Sequence, residues 1–370
     1  MDFDLEWHQE ELRRAARNLL AARCTLNALV AWEDSAEGFS PELYREMAGL
    51  GWLALGHDGP GGQVTDIIEL AVLYEEFGRA ALPGPHFWSS LVAGRLIRGL
   101  GGDAGWRESL TAGSRIATVA IDEPGSDRDP ATLRLRAVPD GPGVRVDGVK
   151  SFVPWAKSAD TLLVLVRTGE GASDLTFYAV RTDAPGVEIE EVPMLSAEKS
   201  AFVHFHDVRV SPTSRLGLPG SGWPAWQALL PALSAIQAAE LTGIADAALE
   251  LAVQYAKDRV AFGKPIGAFQ AIQHKCAEMA ADRDGARFLT YEAVCLLNEG
   301  QGDDPRVLLA KVFASAAARR VTKEAHQIYA AAGFVRAHPL NFYYRRAKGL
   351  ELSLGNPEDQ LERVAALLAR

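Results

Sequence analysis

Cysteine is scarce. Three thiols in 370 residues, Cys24, Cys276 and Cys295, fit neither a zinc site nor a disulfide framework. Cys276 and Cys295 lie in apolar helical context and read as buried free thiols, which points to a reducing cytoplasm. A run of about 18 apolar residues is also missing, so no membrane span is expected. The N-terminal MDFDLEWHQEELRRAARNLL is acidic and amphipathic, unlike a signal or transit peptide. There is no basic excess: the formal net charge is −10. That argues against nucleic-acid binding, and an anionic cofactor needs particular Arg or Lys residues to hold it. The phosphate loop G-x-x-x-x-G-K-[ST], a strand–GxGxxG–helix fingerprint, HExxH and G-x-S-x-G are all absent. The serine of Gly125-Ser126-Asp127 has no nearby histidine to make it a nucleophile. His204 and His206 alternate along a predicted strand and share a face, but no third ligand is in view, so no metal site is expected.

What is present is ample apolar material, 48% of the chain, in a length that suggests two or three packing units. Residues 1–113 read as helices. Leu12, Ala15, Ala16, Leu19 and Leu20 share one face, Ser40-Pro41 is an N-cap with Pro at N1, and Asp66 to Arg79 repeats the helical spacing. Pro83-Gly84-Pro85 breaks the chain before an apolar helix over 88–100. It reads as a turn in preference to a pocket wall. Residues 114–222 carry short runs rich in Val, Leu, Ile and aromatics at 116–121, 133–138, 144–146, 161–166, 175–180 and 202–205. Turn clusters at 140–143, Asp147-Gly148, 169–173 and 183–186 separate them, which predicts an antiparallel sandwich or barrel. From 223 to 370 the helical period returns, with long Ala-rich stripes through Leu241 to Tyr255 and over 306–326, suited to a bundle with oligomer contacts. The predicted fold is mainly α with a central β-domain: an N-terminal helical domain, a middle β-sandwich or barrel, and a C-terminal four-helix bundle.

One stretch carries chemistry. In YAKDRVAFGKPIGAFQ, residues 255–270, a helix ends near Arg259, Phe262-Gly263 turns, Pro265 restarts the chain and Gln270 opens the next helix. Arg259 can grip a pyrophosphate in two-pronged fashion, and Phe262 can wall off an adenosine or flavin. The whole string resembles the FAD-binding hairpin of the acyl-CoA dehydrogenase family, which implies that Arg259, Phe262 and Gln270 contact the FAD of a neighbouring subunit. The resemblance covers nearly the full chain. It includes Leu50-Gly51-Trp52, Gly61-Gly62 and Glu75-Glu76-Phe77-Gly78-Arg79, then DGVK (147–150) and FHDVRV (205–210), and finally Gln327 to Phe334, similar to the family's Gln-x-x-Gly-Gly-x-Gly run. It implies α,β-dehydrogenation of an acyl-CoA thioester. That chemistry needs a desolvated carboxylate at the α-proton, donors to the thioester oxygen and a flavin beside Cβ. Gln327, Gly333, Ser126 and Asn356 join the implied cofactor contacts, and an electron-transfer flavoprotein is the implied acceptor.

The chain also departs from the family. The usual base is a Glu before Gly-Thr, and here Leu354 stands before Gly355-Asn356. A second family position for the base falls near Leu233-Ser234, which is not acidic, leaving Glu240 as a fallback. The Thr-Glu-Pro-x-x-Gly-Ser-Asp loop becomes Asp122-Glu123-Pro124-Gly125-Ser126-Asp127. The flavin-bonding Thr becomes Pro154, and the Gly-Gly approach becomes Ala330-Ala331. The expectation is a base-lacking subunit that serves the FAD of a homologous catalytic partner in an α2β2 tetramer, of the kind associated with steroid side-chain degradation. The competing readings are a homotetrameric dehydrogenase using Glu240, a flavin monooxygenase of the same fold, and a non-enzymatic acyl-CoA-binding scaffold.

Overall fold

The computed structural model describes residues 5–56, 67–126, 129–196 and 198–369. Gly61-Gly62, Asp66 and Asp127 lie outside the described residues. The chain begins with helices α1 (Trp7–Arg23), α2 (Leu26–Asp34), α3 (Pro41–Gly49) and α4 (Ile67–Arg79), a π-helical segment (Phe87–Ala93), α5 (Gly94–Gly99) and α6 (Ala104–Thr111). Ser40 caps α3 as expected, its hydroxyl accepting from Leu43 N at 3.1 Å, with Pro41 at the first helical position. The helix expected over 88–100 is α-helical only from Gly94. Its first half is wound as π-helix, in which Ser90 Oγ donates to His86 O at 2.6 Å.

Strands follow: β1 (Ala117–Ala120), β2 (Ala137–Asp140), β3 (Gly143–Pro154), β4 (Thr161–Arg167), β5 (Leu175–Arg181), β6 (Val187–Val192), β7 (Ser200–Val210) and β8 (Arg215–Leu216). They form two four-stranded open sheets, β1-β4-β5-β8 and β2-β3-β7-β6. The second is antiparallel throughout, but β1 pairs with β4 in parallel, so the expected antiparallel order holds for all but one pairing. Every residue of β4 is buried, because its sheet faces the other sheet on one side and the helices on the other. Two expectations fail locally. Asp147-Gly148 is not a turn. Gly148, with φ 138°, lies in a bulge inside the continuous β3, and a Cβ there would come within 2.7 Å of Leu135 Cδ1. Leu133 to Arg136 precedes β2 as extended chain, held by the buried Arg167, whose Nε donates to Leu133 O.

The C-terminal part comprises α7 (Gly222–Asp258), a ribbon of β9 (Val260–Ala261) and β10 (Lys264–Pro265), then α8 (Gln270–Asn298), α9 (Pro305–Tyr329), α10 (Pro339–Leu352) and α11 (Pro357–Leu368). By length and composition α7 could cross a membrane, but 83% of its apolar window is buried in the protein. From Leu233 to Leu249 every residue is buried, so this helix is the axis of the molecule and carries no polar face to show. It meets α4 backbone to backbone. A Cβ on Gly78 would stand 2.0 Å from Glu240 O, and one on Gly243 would stand 1.9 Å from Glu75 O. Around this crossing runs a charge network. Glu75 accepts from Arg287 and Tyr291, Glu76 accepts from Arg17, and Asp246 pairs with Arg79 and Arg283. The Glu-Glu-Phe-Gly-Arg string at 75–79 is therefore the seam between the N- and C-terminal helices.

Candidate functional site

Two regions hold the residues singled out above. The first is the end of the bundle where α7 turns into α8. Arg259 caps α7 in extended conformation, and Phe262-Gly263 forms the ribbon tip, both with positive φ (54° and 80°). Ile266 N donates to Arg259 O at 2.8 Å, closing the hairpin, and Phe269 in extended conformation launches α8 at Gln270. Phe262 is 95% exposed and meets Phe269 edge-on at 6.1 Å, with the Lys264 ammonium 4.5 Å from the Phe269 ring. Among the described residues Arg259 has no ion-pair partner and no side-chain hydrogen bond. Gln270 is exposed at the N-terminus of α8, the positive end of a helix dipole. Tyr255 stacks on Tyr329 (4.0 Å, 19°), and Tyr329 Oη donates to Leu251 O, which pins the end of α9 to the end of α7. The exposed Gln327 thus sits at the same end of the bundle as the hairpin. An uncommitted guanidinium, an exposed aromatic and a helix N-terminus at one end suit the pyrophosphate and adenosine of FAD.

The other predicted contacts are differently placed. Gly333 is buried, and a Cβ there would meet Tyr329 Cβ at 3.1 Å, so its glycine serves packing. Ser126 Oγ is committed to its own loop, donating to Glu123 O at 2.9 Å and accepting from Glu123 N at 3.1 Å. Asn356 Oδ1 caps α11, accepting from Glu358 N and Asp359 N. The shortened loop is braced by the buried Lys150 of DGVK, whose ammonium reaches Glu123 Oε1 and Ile121 O, both at 2.7 Å. Lys150 and Glu123 are 27 positions apart in the chain, and only the fold joins their two motifs. Pro154 ends β3, and its carbonyl accepts from Thr118 Oγ1 at 2.6 Å.

The second region is where the base is expected. Leu354 is buried in the helical core with φ 56°, and its carbonyl accepts from Gln360 Nε2 at 2.9 Å. Ser234 is fully buried. Gln237, one turn on, donates from Nε2 to Ser353 Oγ at 2.9 Å, so both base positions converge on one place. Beside it lies a cavity of about 20 Å³ at the junction of the three parts of the chain, lined by Trp88, Trp155, Glu198, Gln237, Glu240 and Arg346 among others. Gly84, His86 and Phe87 also line it, so the Pro83–Pro85 turn delivers a pocket wall as well as a change of direction. Glu240 is 1% exposed and is not free to act: Arg346 Nε and Nη2 both donate to its Oε1, at 2.7 and 2.5 Å. Glu198 Oε1 accepts from the indoles of Trp88 (2.6 Å) and Trp155 (3.2 Å). Burial pushes the Glu198 carboxyl above its usual range, against the opposing pull of Arg346. Burial likewise holds the His86 imidazole neutral, its pKa lowered to about 3. Nothing in the sequence flagged Arg346 or Glu198, which reach this cavity from separate segments.

Backbone strain gathers at these places. Seven described non-glycine residues have positive φ, and Phe152, Trp155, Phe262, Ala330 and Leu354 are five of them. Ala330 (φ 52°, ψ −138°) holds a conformation suited to glycine. His204 and His206 do share a face, stacked at 6.2 Å, and pair with Glu190 and Glu188. No group of three metal-ligating side chains occurs among the described residues.

Comparison with known proteins places this architecture. The acyl-CoA dehydrogenase N-terminal domain model matches residues 6–113, and the C-terminal domain model matches residues 220–369. The mitochondrial short-chain specific acyl-CoA dehydrogenase of Bos taurus is 30% identical over 99% of this chain and 90% of its own. A Tcur3481–Tcur3483 steroid ACAD variant superposes with a TM-score of 0.84 at 31% identity, covering 98% of each chain. The ChsE4–ChsE5 complex of Mycobacterium tuberculosis gives 0.86 at 25% identity, covering 100% of this chain and 99% of that one. The chain belongs to the acyl-CoA dehydrogenase family of FAD-dependent oxidoreductases, which act on the CH–CH bond of acyl-CoA.

Proposed function

We propose that this chain is the base-lacking subunit of an FAD-dependent acyl-CoA dehydrogenase, and that Arg259, Phe262, Gln270 and Gln327 serve the flavin of a homologous catalytic partner in an α2β2 tetramer. One contrast carries the reading. The hairpin offers an exposed guanidinium with no partner among the described residues, whereas the base position holds Leu354, buried in apolar surroundings. Glu240, the fallback carboxylate near that position, is engaged by Arg346 and does not favour a self-sufficient enzyme. When bound, FAD supplies the two-electron acceptor. This chain's part is to hold phosphate charge with Arg259 and to cover the adenosine or ring with Phe262. Ser126 and Asn356 are left as scaffold contacts rather than cofactor ligands, given their local hydrogen bonds.

The two heteromeric neighbours, one of them a steroid ACAD, support the assembly and a bulky, steroid side-chain acyl-CoA as substrate. An electron-transfer flavoprotein is the acceptor that the family implies, and the three free cysteines suit a cytoplasmic setting. The test is to purify the chain alone and with its homologous partner. We expect two FAD per tetramer and turnover only in the assembly. Arg259→Ala should weaken FAD retention about 10- to 100-fold, the loss of a charge-assisted phosphate contact worth ~1.5–3 kcal/mol. Stoichiometric FAD and turnover by the lone chain would refute the proposal, and oxygen consumption with supplied reduced flavin would point to a monooxygenase.

A further inference from the structure

The cavity at the three-domain junction is lined by Gln237, which stands one turn beyond Ser234 and donates to Ser353 Oγ beside Leu354, so it is where the reacting end of an acyl thioester would approach the two expected base positions. Its size decides against entry. About 20 Å³ is room for one water, whereas small-molecule sites span roughly 300–1,000 Å³. Named side chains account for the missing volume. Arg346 from α10 crosses to Glu240 on α7 with both donors on one oxygen. Glu198, in the connection between β6 and β7, ties Trp88 of the N-terminal π-helical segment to Trp155 at the end of β3. Trp155 is itself wedged edge-on against Phe39 at 5.7 Å and is 1% exposed.

The polar demand that remains is also small. Gln237 Oε1 and His86 Nε2 are buried without a partner among the described residues, a need that one water can meet and an acyl chain cannot. Outside Glu198 a wider groove of about 340 Å³ opens between β6, β7 and α2. Among the described residues the one cation lining it, Lys199, directs its ammonium to Glu33 O at 3.4 Å, so the approach offers no ready grip for the phosphates of a coenzyme A.

We propose that this chain's inter-domain cavity is closed to acyl-CoA by its own side chains, Arg346 clamped on Glu240 and Glu198 bridging Trp88 and Trp155, so that the assembly binds acyl thioester only in its catalytic partner. This rests on the reading of the chain as the base-lacking subunit. The closure joins all three parts of the chain.

The test counts sites in the assembled tetramer by equilibrium dialysis with trans-2-octenoyl-CoA, a product-class probe, at concentrations that saturate the catalytic partner's sites. FAD is counted by absorbance on the same sample. The expected result is two octenoyl-CoA and two FAD per tetramer. Four octenoyl-CoA with two FAD would overturn the closure while leaving the base-lacking assignment intact, whereas four FAD would overturn that assignment itself. Trp88→Ala removes one indole wall and should raise the octenoyl-CoA count from two to four. A folded Trp88→Ala assembly that stays at two would overturn the assignment of the closure to these side chains. If that variant does not assemble, the wild-type count still decides.

Discussion

Replacing Arg346 by methionine tests the closed cavity through stability alone. Glu240 is 1% exposed at its side chain and Arg346 13%, and the guanidinium places two donors on Glu240 Oε1. Methionine keeps much of the packing volume but removes both donors and the charge. The carboxylate is then left desolvated without compensation, and breaking a buried pair in this way costs about 3–5 kcal/mol. Changing Glu240 to glutamine as well removes the stranded charge, so the double variant should return to within about 1 kcal/mol of the wild type. The pair then shows a coupling energy of several kcal/mol in a double-mutant cycle. Urea unfolding of the assembled protein, comparing midpoints at matched slopes, reads all four corners of the cycle. An Arg346→Met variant within about 1 kcal/mol of wild type would mean that Glu240 reaches solvent, and the description of a sealed junction would be wrong.

Other perturbations probe neighbouring parts of the same frame. Gly78→Ala or Gly243→Ala drives a Cβ into facing backbone at about 2 Å, and since backbone cannot swing aside the loss should meet or exceed ~3 kcal/mol. Gly49→Ala, in a helix with nothing within 4 Å, serves as the unclashing control in the same unfolding assay and should be neutral or stabilising by up to about 1 kcal/mol. Ala330→Gly should stabilise by about 1 kcal/mol by relieving a conformation that L-residues avoid, and an unchanged midpoint would contradict the strain. His86 is buried neutral with its pKa lowered to about 3 from an ordinary value of 6.5. The unfolded chain therefore takes up this proton first, so its contribution is complete above about pH 6.5. Below that it falls by about 1.4 kcal/mol per pH unit towards pH 3. The stability difference between wild type and His86→Phe should shrink over that range, and a constant offset would show that the imidazole is not held neutral.

How much was legible in the sequence follows from how local each signal is. The Tyr255 to Gln270 hairpin was readable because its chemistry lies within sixteen consecutive residues, and the structure presents Arg259, Phe262 and Gln270 at the surface. Helix caps such as Ser40-Pro41 were readable for the same reason. Asp147-Gly148 misled because a glycine in a bulge and a glycine in a turn look alike along the chain, and only pairing with β7 distinguishes them.

By itself the sequence determined the helices–strands–helices order, the family and the lack of a carboxylate at residue 354, since each is fixed by local periodicity or by the identity of one residue. The tertiary structure alone decided the fate of that site. Arg346 and Glu240 are 106 positions apart, and Trp88 and Glu198 are 110 apart. They become partners only because Gly78 and Gly243 let α4 and α7 touch, drawing the three parts of the chain onto one cavity. Whether a buried carboxylate is a free base or half of an ion pair depends on what stands within 3 Å of it, and no pattern along the chain records that distance.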